Sequence, residues 1–159
     1  MAKSSFNVLV LHGHGRDWMK VRSFVQEAGY TARVMKEQVV GGVLFNRFRS
    51  LVWKKAHCAV VVMTRDDTVG AGEKHYRARQ NVVFELGYCF GTFDSLDKKA
   101  RYKAEHAVIV IEEEGVERFA NIEGLLTIQF KPGQLEAQRA MVLKALRRAF
   151  NRAKDFYGF

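Results

Sequence analysis

The chain has 159 residues, 48% hydrophobic and 27% charged, the balance of one globular domain that can bury a core of its own. Its 26 Lys+Arg against 17 Asp+Glu leave a net charge of +9, a surface suited to an anionic nucleotide or to nucleic acid. No apolar run approaches the roughly 18 residues that a membrane span needs, and the N-terminal apolar stretch is too short for a signal peptide, so a cytoplasmic protein with no membrane partner is expected.

Residues 6–11 form a nearly continuous apolar run, the pattern of a buried parallel strand, and His12-Gly13-His14-Gly15 ends it in a turn. Asp17 is placed to cap a helix carrying Val21, Phe24 and Val25 at helical spacing and stopping at Gly29. A short strand over 30–35 follows. Gly41-Gly42 opens a loop before a second helix with Leu44, Phe48, Leu51 and Val52 on one face and Lys54-Lys55 near its end. Residues 58–63 are β-branched, apolar and uninterrupted, the signature of a central strand. Thr64-Arg65-Asp66-Asp67 terminates it, and a polar loop with Gly70 and Gly72 leads to a helix expected from Arg77 or Ala78 to about Phe93. Residues 107–111 read as another buried strand and 126–130 as a weaker edge strand. The last helix, over 134–156, has an expected apolar stripe of Leu135, Met141, Val142, Leu146, Ala149, Phe150 and Ala153, with Pro132 just before it.

Strands alternating with helices predict an α/β domain with a central parallel sheet of about five strands and helices on both faces. The expectation is one domain over 1–159, with a core over 6–130 and a C-terminal helix over 134–156. Ligands of such sheets bind at the carboxyl ends of the strands. Here those ends are the loops at 12–16, 64–77 and 112–123.

Several chemistries lack their motifs. There is no phosphate-binding G-x-x-x-x-G-K-[ST], no G-x-S-x-G nucleophile elbow, and the Gly13-x-Gly15 pair has no third glycine for a dinucleotide fingerprint. Cys58 and Cys89 sit in apolar stretches and read as buried free thiols. His12 and His14 could begin a metal site, but His57, His75 and His106 lack ligand spacing. The favoured reading gives them hydrogen bonds to a ligand or to local backbone, and no metal.

The most informative stretch is 77–91, "RARQNVVFELGYCFG". As a helix it stacks Asn81, Glu85 and Tyr88 at i, i+4 and i+7, beside an apolar face of Val82, Leu86 and Cys89. Gly87 reads as allowing close helix packing. Glu85 is acidic in apolar surroundings. Such a glutamate is either a structural group paired with Arg77, Arg79 or nearby backbone, or an active-site carboxylate, and the local sequence leaves both open.

That stretch resembles the signature of the bacterial TIR-like nucleotide-binding family, which supplies effector domains of CBASS and Pycsar anti-phage systems. "VLHGHG" at 10–15 and "VVVMTRDD" at 60–67 match in the same order, and the resemblance covers about 6–130. Two positions depart from it: Gly15-Arg16-Asp17 stands where an aspartate often follows HGH, and Arg65 where a proline often precedes the two aspartates.

The resemblance implies a flavodoxin-like TIR fold and cleavage of NAD⁺ between nicotinamide and ribose, with Glu85 as the catalytic residue. NAD⁺ enters as substrate, with no cofactor and no metal. Substrate contacts are expected from His12, Gly13, His14, Asp66, Arg77, Arg79, Asn81 and Tyr88, with Arg77 or Arg79 holding the pyrophosphate and Trp18, Phe45 or Tyr88 stacking on a base or on nicotinamide. The backbone N–H groups of the Gly13 turn can assist. Family members typically complete the site across neighbouring subunits, so a homo-oligomer built through TIR–TIR contacts is expected. A sensor domain or partner protein would supply the activating signal. The alternatives are a non-catalytic nucleotide-binding or TIR–TIR assembly module, a nucleoside transferase, and a nucleic-acid binder using Arg139, Lys144, Arg147, Arg148 and Arg152. The last is disfavoured, because those cations lie on the solvent face of an amphipathic helix.

Overall fold

Three apolar runs become the middle of a parallel sheet. They are β1 (Asn7–His12), β3 (Cys58–Met63) and β6 (Val108–Glu113), with β2 (Thr31–Val34) and β7 (Leu126–Phe130) at the edges. The computed structural model describes residues 6–35, 42–70, 75–96, 104–118 and 124–158. Gly41, Gly72, the side chains of Leu44, Lys54 and Lys55, and residues 119–123 of the last strand-end loop lie outside the described residues.

The strand order is β2-β1-β3-β6-β7, all pairs parallel, so the expected flavodoxin-like α/β sheet is present. Every residue of β3 is buried, which is why its sequence does not alternate. Two helical layers cover the sheet. One packs α1 (Trp18–Glu27) on α5 (Arg139–Tyr157), and the other packs α2 (Gly42–Lys55) beside α3 (Gln80–Leu96). A short α4 (Ala104–Ala107) leads into β6. The core is contiguous from Phe6 through the strands to Leu146, Ala149 and Ala153 of α5, and both cysteines are buried and free. No helix among the described residues is long and apolar enough to cross a membrane.

The structure departs from the sequence pattern in five places. The polar loop after β3 is a hairpin, β4 (Asp67–Val69) against β5 (His75–Arg77), too short and too charged to show alternation. Arg77 therefore belongs to a strand, and α3 starts at Gln80. Asp17 occupies the N-cap of α1 but makes no capping hydrogen bond and instead pairs with Lys20 at 3.5 Å. The last helix opens with a 3₁₀ turn, Leu135–Gln138, and Met141 of its expected stripe is 54% exposed, because it lies on the flank of the helix beside β7. Gly87 is not a packing position among the described residues: a Cβ there would meet no atom within 4 Å beyond its chain neighbours and its own helix backbone. The stop of α1 is as expected, with Gly29 at φ +83°, a conformation glycine adopts without strain.

Candidate functional site at the strand ends

The strand order reverses between β1 and β3, and the crevice at their carboxyl ends is the ligand position of such sheets. His12, which ends β1, stands in register with Val62 of β3, so the His12-Gly13-His14 turn lies directly beside Thr64 and Asp66.

Asp66 is the hub of this crevice. Its Oδ1 accepts the backbone N–H of His14 at 3.0 Å and the Thr64 hydroxyl at 2.8 Å, and its Oδ2 accepts the backbone N–H of Arg79 at 3.3 Å. One carboxylate thereby ties the β1 turn and the start of α3 to the end of β3. Gly13 is part of the same fit, since a Cβ there would lie 1.8 Å from Asp66 Oδ2. Gly15 is also tight, with Thr64 Oγ1 at 3.0 Å from such an atom. Sequence alone offered Asp66 as a substrate contact; its carboxylate here holds protein backbone.

The two histidines differ. His12 Nδ1 lies 2.7 Å from the Gly13 carbonyl oxygen, which only accepts, so Nδ1 is the donor of this pair. The ring stacks on Trp18 at 4.8 Å, and Nε2 is buried with no hydrogen-bond partner among the described residues. His14 is exposed, and its Nδ1 faces an Arg79 guanidinium N–H at 3.5 Å. Arg79 caps α3 through its carbonyl, which accepts from Val82 and Val83.

Helix α3 has two flanks. Val82, Leu86, Cys89 and Phe93 are its buried stripe. Asn81, Glu85 and Tyr88 stand together on the flank toward α2, where the Tyr88 hydroxyl accepts from Trp53 Nε1 at 2.9 Å and its ring meets Phe45 and Phe48. Asn81 is exposed, and Glu85 and Tyr88 are half-buried. Burial pushes the Cys89 thiol well above its ordinary range, with the Glu85 charge one turn away as a second cause.

The other flank carries Gln80 and Val83, in a groove of about 380 Å³ with Arg77, Ala78, Glu117 and Arg118. Arg77 is ion-paired with Glu117, and that hydrogen-bonded pair holds the glutamate below the usual carboxylate range. Arg118 donates to Glu112 Oε1 at 2.6 Å, and Gln129 donates to the same oxygen at 3.1 Å. Arg65 donates to the Glu114 carbonyl and lies over the Tyr76 ring at 5.0 Å, docking the hairpin on this side. The structure thus gathers His12, Gly13, His14, Asp66 and Arg79 at one crevice and Asn81, Glu85 and Tyr88 on the α2 flank of α3. It sets Arg77 apart on the opposite flank. The paired role of Asp66, the Arg77–Glu117 pair and buried Glu112 left no local signal, because each depends on segments distant in sequence.

A family model described as the CAP12/Pycsar effector protein, TIR domain, matches residues 7–132. A curated relative, Uncharacterized protein YuaY of Escherichia coli (strain K12), is 28% identical over 127 residues. That match covers 77% of this chain and 39% of the relative, so the chain spans well under half of that protein. Among solved structures, a response regulator receiver domain protein from Bacillus halodurans superposes with a TM-score of 0.47 at 14% identity, over 88% of this chain and 96% of that one.

Proposed function

This chain belongs to the CAP12/Pycsar effector TIR-domain family, a TIR-like effector domain of anti-phage systems, and from that premise we propose that it is an NAD⁺ nucleosidase with Glu85 as its catalytic residue. The observation that carries the reading is the position of Glu85. It is half-buried near the start of α3, on the flank toward α2, and α3 is tied to the switch-point crevice by Asp66.

The reaction suits a single carboxylate. The C1′–N bond of NAD⁺ breaks with its electron pair going to the pyridinium nitrogen, so nicotinamide leaves neutral and needs no proton. The ribose passes through an oxocarbenium-like state, and a carboxylate beneath it stabilises the positive charge. Water then adds at C1′ and releases one proton, giving ADP-ribose. The exposed His14–Arg79 pair is positioned to receive a ligand phosphate.

The site works in an assembled form. Phe45 and Phe84 are 42% and 57% exposed with ring centroids 6.0 Å apart, an aromatic pair beside Glu85 that favours self-association. The test is nicotinamide release from NAD⁺ at high protein concentration. Wild type is expected to release it, and Glu85→Gln to lose about 100-fold or more of the rate, the size expected for removing a principal electrostatic stabiliser. Undiminished release by the variant overturns the assignment.

A further inference from the structure

The largest concavity among these grooves lies outside the strand-end crevice. It is a groove of about 600 Å³ between α2 and α3, lined by Asn46, Arg49, Ser50, Trp53 and Tyr88. Its size falls within the roughly 300–1,000 Å³ of small-molecule sites. Its chemistry is that of a nucleotide site. Trp53 is 50% exposed and offers an indole face. The Trp53 N–H is committed to the Tyr88 hydroxyl, which fixes both rings. Arg49 is exposed and has no acidic partner among the described residues. Asn46 and Ser50 add an amide and a hydroxyl to the same wall.

Comparison with the groove on the other flank of α3 separates the two. There both arginines that line it are already engaged, Arg77 with Glu117 and Arg118 with Glu112, so neither guanidinium is free for a phosphate. In the α2–α3 groove the Arg49 guanidinium has no acidic partner among the described residues, and an aromatic face accompanies it. Tyr88 also belongs to the stripe of Glu85, one helical turn away. A ligand whose ribose sits at Glu85 can therefore extend along the groove.

We propose that this groove is a subsite for the adenine-nucleotide half of the substrate, with Trp53 stacking on the purine and Arg49 paired to a phosphate. The inference rests on the NAD⁺ reading above, but it concerns binding and can be read without turnover.

The probe is ADP-ribose, which lacks nicotinamide and cannot be cleaved at that bond, titrated calorimetrically onto the whole chain. Trp53→Ala and Arg49→Ala are each expected to weaken binding about tenfold or more, and to raise KM for NAD⁺ with kcat little changed. Trp53→Phe keeps an aromatic face while removing the hydrogen bond to Tyr88, so it should retain most of the affinity; Arg49→Lys should retain part. Turnover of nicotinamide mononucleotide, which lacks the adenine half, should be unaffected by either alanine variant. Wild-type affinity for ADP-ribose in both alanine variants, or no binding by wild type, overturns the subsite. Groove-dependent ADP-ribose binding without any nicotinamide release leaves the subsite standing and sinks the nucleosidase reading instead.

Discussion

The strand-end clasp and the α2–α3 groove are built on opposite plans. At the strand ends, the Asp66 carboxylate accepts three hydrogen bonds from three segments, and Gly13 leaves no room for one more carbon. In the groove, aromatic rings stand half-exposed and Arg49 faces solvent. In the first region the Asp66 carboxylate is satisfied by protein groups and acts as a scaffold that holds the His14–Arg79 pair in place. The second has polar and aromatic groups left over for a ligand. Substitutions should separate the two: the clasp answers in stability, the groove in binding.

The largest stability effect is expected in the clasp. In Gly13→Ala, the added carbon must displace the Asp66 carboxylate and its hydrogen bonds, or move the backbone. Either costs about 1–3 kcal/mol, seen as a lower thermal midpoint. Asp66→Ala should cost a similar amount and partly relieve the Gly13→Ala clash, so the double variant should lose less than the sum of the two. A fully additive pair would show that Gly13 and Asp66 are not in close fit.

A smaller effect is expected at the opposite end of the central strands. The half-buried His57 accepts the Asn7 backbone N–H on Nδ1 at 2.9 Å, and burial lowers its pKa. As pH falls, the unfolded chain takes up this proton before the folded one does. Stability is therefore lost through the ordinary histidine range and levels off below the lowered folded value. The thermal midpoint should fall between about pH 7.5 and about pH 5.5, less steeply in His57→Gln. An unchanged slope would assign the pH dependence to other groups.

The smallest effect is expected at Gly87, on the exposed side of α3. Gly87→Ala should stabilise the helix by up to about 1 kcal/mol with no steric cost. A destabilised variant would show that this face is covered in solution.

The sheet was legible because its three inner strands are buried on both faces and so leave unbroken apolar runs such as residues 58–63. The hairpin was not, because Asp67–Val69 and His75–Arg77 are stabilised by tertiary partners, Glu117 N–H to the Tyr76 carbonyl among them, and carry no pattern of their own. The same limit explains the site. Asn81, Glu85 and Tyr88 share a stripe through helical spacing alone, which sequence reveals. That Arg77 pairs with Glu117 across 40 positions, and that Trp53 meets Tyr88 with Arg49 lining the same groove, depends on how distant segments pack.

The catalytic role of Glu85 is tested by nicotinamide release from NAD⁺ by wild type, Glu85→Gln and Arg77→Ala side by side, at concentrations that permit assembly. The two substitutions lie on opposite flanks of α3. Wild type should release nicotinamide, Glu85→Gln should lose nearly all of that release, and Arg77→Ala should stay near wild type. Equal rates for wild type and Glu85→Gln, or loss confined to Arg77→Ala, would contradict that role.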